Sequence, residues 1–87
     1  KLAPADHEIA INWVEKALTG ETSVVDRINY LVMIGDSYTA IKKYEDATKY
    51  YRQGYVESLQ LNNMTQVQAM IQATIARKLA TLELLQK

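Results

Sequence analysis

Cysteine is missing from this 87-residue chain, which excludes a disulfide framework and thiolate chemistry alike and leaves the redox compartment open. Histidine occurs once, at His7, so there is no histidine cluster for zinc and no cysteine to complete one. One proline and three glycines leave few helix breakers. Neither sign of charge dominates: ten Lys plus Arg balance ten Asp plus Glu, scattered along the chain, and nothing builds the basic patch that nucleic acid requires. Long apolar runs are also missing. The uncharged stretch Leu59 to Ala76 holds too much Gln, Asn and Thr for hydrocarbon, so no membrane insertion is expected. There is no glycine-rich phosphate loop and no suggestive Ser, His and Asp combination. The chain therefore offers no catalytic, metal or cofactor residues, and a lone acid such as Asp36 reads as a solvated charge. An enzyme is not expected.

What is present is helical periodicity in a chain that is 48% apolar, enough for one domain or a piece of one. Because it starts at Lys1-Leu2 without methionine, it is expected to be a processed product or a domain cut from something longer, with any targeting segment outside it. Ala3-Pro4-Ala5-Asp6 suits a helix start, since proline fits the first turn and an acid suits the positive end of the dipole. Ile9, Ala10, Trp13, Val14, Ala17 and Leu18 follow as a helical stripe that Gly20 ends. A second helix is predicted from Thr22 or Ser23, where Ser23-x2-Asp26 approximates a capping box, to about Lys42. A third runs from about Glu45 to Leu61, after a turn that places two bases behind one helix and two acids ahead of the next. Asn62-Asn63-Met64 breaks the pattern, and Thr65-x2-Gln68 reads as a second capping box opening a helix to the chain end.

Within this pattern, Leu31-x2-Ile34-Gly35-x2-Tyr38-x8-Ala47-x3-Tyr51-x2-Gly54-x4-Leu59 resembles a tetratricopeptide (TPR) repeat, a helix-turn-helix unit of about 34 residues. Gly54 stands where the family usually has alanine, and Leu59 where it often has proline. Leu31, Ile34, Gly35 and Tyr38 share one helical face, with Gly35 removing a side chain at the point of closest approach. The resemblance implies an all-α, antiparallel helix-turn-helix stack of about four helices: residues 4–19 as a partial repeat, 22–61 as a full repeat and 65–87 as a capping or interface helix. A four-helix up-and-down bundle is the alternative. A shift of 34 residues places Thr65, Gln68, Ala69 and Gln72 where the packing stripe stood, a polar face that suits a terminal cap.

Such repeats stack into concave, partner-binding surfaces, so the resemblance implies a non-enzymatic scaffold that holds a peptide or helix of a partner protein. The groove would be lined by Asn29, Val32, Met33, Asp36, Thr39 and Ala40 on the second helix and, by the same shift, Val67, Met70, Ala73 and Thr74 on the last. It lacks the Lys, Arg and Asn set with which some family members clamp a terminal carboxylate. The competing reading makes Met33, Val67 and Met70 core between adjacent helices. Leu79, Leu82, Leu84 and Leu85 form a possible interface, spread too widely around the helix for one seam. A second copy, a missing remainder or a partner would cover it, unless Leu79 and Leu82 pack on the third helix. This set supports the other functional reading: an oligomerisation or assembly domain, or the terminal sensor part of a larger regulator. Tyr38, Tyr51 and Tyr44 are expected in the core, with Tyr30, Tyr50 and Tyr55 less constrained.

Overall fold

Ser23 starts a helix by a local rule: its Oγ accepts the Asp26 N–H at 3.1 Å, satisfying one of the donors that a helix start leaves free. The computed structural model describes residues 8, 9, 11–13, 15, 16 and 23–86, and all regular structure among them is helical. The helical residues 8, 9, 11–13, 15 and 16 are α1, followed by α2 (Val24–Ala40), α3 (Tyr44–Ser58) and α4 (Thr65–Leu85). The fold is an all-α stack. The expected helix start at Pro4 and stop at Gly20 lie outside the described residues, as do Ala10, Val14, Ala17 and Leu18 of the first stripe.

The turn between α2 and α3 is a Schellman motif: Lys43 N–H bonds Tyr38 O at 2.9 Å and Lys42 N–H bonds Thr39 O at 3.0 Å. Its geometry forces Lys42 to φ 64°, a left-handed conformation that glycine adopts more easily. Glu45 and Asp46 then occupy the first turn of α3, where the dipole favours them. The third helix stops at Ser58, short of the expected Leu61, because Gln60 and Leu61 close turns onto Glu57 O and Ser58 O. Leu61 is nevertheless buried and pins the connection to the core.

The predicted box at Thr65 does not form. Thr65 is the first residue of α4, and Met64 holds the cap position without a side-chain bond. Gln68 instead donates to Ser58 O at 3.0 Å and Gln72 to Ser58 Oγ at 3.3 Å. The face expected to be a polar outer cap therefore has its two glutamines half-buried against α3, where they satisfy the fully buried Ser58. Ala69, the one member suited to packing, is exposed.

Contacts fix the directions. Arg27 meets Glu57 and Asp36 meets Tyr51, so α2 and α3 are antiparallel. Gln68 meets Ser58 while Lys78 lies over the Tyr51 ring, so α3 and α4 are antiparallel too. It follows that α4 runs parallel to α2, with α3 packed against both. Gly35 makes this possible on one side: a Cβ there would stand 2.6 Å from Tyr51 Cδ1. The core holds Ile28, Ala47, Tyr51, Leu61, Ile75 and Leu82. In α1 the buried described residue is Ile11, whereas Ile9 and Trp13, which the stripe placed inward, are 55% and 74% exposed. Ile11 shares a hollow with Tyr38 and Lys43. Among the described residues no helix is long and apolar enough to cross a membrane.

Candidate partner-binding surface

Two parallel helices lying on a third leave a trough on their open side. Here α2 and α4 form its walls, and two hollows lie along it. The first, about 180 Å³, is lined by Ile28, Asn29 and Val32 from α2 and by Met70, Ile71, Thr74 and Ile75 from α4. Four residues expected in the groove thus come together: Asn29, Val32, Met70 and Thr74. The second, about 260 Å³, is lined by Asp36, Thr39, Tyr51, Arg77, Lys78, Thr81 and Leu82, and it takes in two more, Asp36 and Thr39.

The remaining expected residues fall elsewhere on this face or off it. Met33 is 52% and Met70 71% exposed, so these two methionines are not core between helices, whereas Val67 is half-buried and packs against the core. Ala40 and Ala73 are exposed and line neither hollow. Of the leucine set, Leu82 is 1% exposed and Leu79 packs on the core. A side chain so buried within one chain is unavailable to a partner, so Leu82 is a core residue and no interface member. Leu84 and Leu85 remain at the surface, 70% and 49% exposed.

The second hollow has a polar framework that spans three helices. Tyr51, otherwise buried, donates its hydroxyl proton to Asp36 Oδ1, and Asp36 also pairs with Lys78 at 2.9 Å. Burial first, then the hydrogen bond to Asp36, holds the Tyr51 hydroxyl well above the ordinary tyrosine range. Thr39 donates to Gly35 O at 2.8 Å and contacts the Tyr51 hydroxyl at 3.3 Å. Tyr38 and Tyr50 lie apart from the trough. Their rings stack with centroids 5.6 Å apart, and the Tyr50 hydroxyl bonds Glu15 at 3.3 Å; burial and that carboxylate push Tyr50 up to about 12. Tyr55 is 38% exposed on α3.

Arg77, Lys78 and Thr81 were not foreseen on this face. The 34-residue shift set Met70 opposite Asp36, but the pair that forms is Asp36–Lys78, 42 positions apart. The signal was available in the two predicted helix starts, Ser23 and Thr65, which imply the longer offset. Two further hollows of about 410 Å³ each flank α3: one beside Arg27, Leu31 and Val56, the other between α3 and α4 beside Thr48, Ala76 and Leu79. Neither touches a residue of the expected groove. Among the described residues no cluster of three His, Asp or Glu stands ready for a metal ion. No family model matches this chain, and no curated protein or solved structure matches it.

Proposed function

We propose that this chain is a non-enzymatic, TPR-like interaction scaffold that holds a peptide or helix of a partner protein in the trough between α2 and α4. The observation carrying this reading is the hollow that joins Asn29, Val32, Met70 and Thr74, with Met70 largely exposed on it and Met33 exposed on α2. Flexible thioethers suit a surface that adapts to a partner, and exposed apolar side chains that cluster mark contact surfaces. The helix-turn-helix pair α2–α3 with its Gly35–Tyr51 contact supports the repeat reading, and α4 extends the stack with a longer offset than the family's about 34 residues.

A displayed library of amphipathic peptides, panned on the chain, tests this. Binders should be lost by Met33→Glu with Met70→Glu while helical circular dichroism stays at the wild-type level. Unfolding of that variant, or binders indifferent to it, would remove the site. The second reading, an assembly domain, draws on the exposed Leu84 and Leu85. A concentration-independent dimer by light scattering, made monomeric by Leu84→Glu with Leu85→Glu, would favour it; a wild-type monomer would reject it.

A further inference from the structure

We infer that the partner segment is an amphipathic helix that places an aliphatic side chain in the first hollow and a carboxylate side chain, two turns along, in the second. This rests on the trough being the binding surface. The second hollow decides the charge through its donors and acceptors. Tyr51 commits its proton to Asp36, Thr39 commits its own to Gly35 O, and Thr81 bonds Arg77 O at 3.0 Å. Asp36 is engaged through Oδ1 by both Tyr51 and Lys78, which leaves Oδ2 as an acceptor. Against that one anionic acceptor stand two cationic donors: the guanidinium of Arg77, which has no side-chain partner among the described residues, and the remaining N–H groups of Lys78. Two cations against one anion leave the hollow net positive, and a carboxylate is the protein side-chain group that charge favours.

The first hollow selects differently. Ile28, Val32, Ile71 and Ile75 form its apolar lining beside Met70, with Asn29 and Thr74 at its polar edge, and it carries no charge. From Val32 to Thr39 on α2, and from Met70 to Arg77 on α4, the two hollows lie two helical turns apart, about 10.5 Å at 1.5 Å per residue. Side chains about seven residues apart on one face of a partner helix match that distance. A helix suits the trough because α3 already lies against both α2 and α4 from the other side, and an added helix repeats that packing.

A stapled, alanine-rich helical peptide with one leucine and one glutamate two turns apart is the probe, paired with a sibling bearing lysine for glutamate. Fluorescence anisotropy should show the glutamate peptide binding roughly tenfold tighter, a difference of the size expected for one interfacial charge. Arg77→Glu should reverse the preference; its side chain holds nothing else in place, so the fold is retained. Equal binding of the two peptides, or an Arg77→Glu chain with unchanged preference, overturns the carboxylate inference and leaves the trough standing. Binding of neither peptide, or binding that survives leucine→serine in the peptide, overturns the trough reading and this inference with it.

Discussion

Gly35 and Lys42 show how single backbone positions hold the arrangement. A Cβ at Gly35 would press on the Tyr51 ring, and that ring cannot retreat, because it is 2% exposed and its hydroxyl is bound to Asp36. Gly35→Ala should therefore lose about 1–3 kcal/mol by overpacking, despite alanine's better helix propensity; an unchanged urea midpoint would contradict this contact. Lys42 has the opposite sign. Its φ of 64° carries the cost of a side chain in the left-handed region, and Lys42→Gly should raise stability by about 0.5–1 kcal/mol in the same measurement. The tyrosines set a pH limit. Tyr51 and Tyr50 ionise less readily in the folded chain, through burial and then the carboxylates beside them. A raised folded value stabilises the fold below the unfolded value near 10 and is lost as pH rises past it. Urea unfolding should thus give level tyrosine-dependent stability up to pH 10 and a decline between there and about 12. Tyr51→Phe should show a shallower decline.

Among the elements, α2 and α3 were legible and α4 only partly so. Ser23, the turn at Lys42–Lys43 and the stripe Leu31/Ile34/Gly35/Tyr38 are local signals, and α2 and α3 follow from them. The existence of α4 was equally plain, but its cap and its register were not. Gln68, read as the far half of a capping box, is taken by Ser58 O across the helix contact, so a tertiary partner outcompeted the local one. A period of 34 residues does not hold across Asn62-Asn63, where the connection is longer, and so it does not predict Arg77, Lys78 and Thr81 on this face. The leucines near the end of α4 separate in the same way. Leu82→Ala should cost about 2–5 kcal/mol, as expected for a buried leucine, whereas Leu85→Ala should stay within about 0.5 kcal/mol. Thermal melts of the two variants that coincide would place the helix in a different rotation.

At the scale of the whole molecule, binding depends on which surface is left open once three helices have packed. Mutual burial of α2, α3 and α4 consumes Leu82, Ile75 and Tyr51 and leaves a trough whose two ends differ in character, apolar at Val32 and Met70 and cationic at Arg77. The chain's three methionines report on this surface directly. Met70 lines the first hollow and Met33 is exposed on α2, while Met64, 45% exposed, sits in the connection ahead of α4. The decisive measurement is a carbon-13 methionine-methyl NMR titration with the leucine–glutamate helical peptide. The Met33 and Met70 resonances should shift together and saturate at one affinity while Met64 stays in place. A shift confined to Met64, or none at saturating peptide, would contradict the claim that the α2–α4 trough is the binding surface.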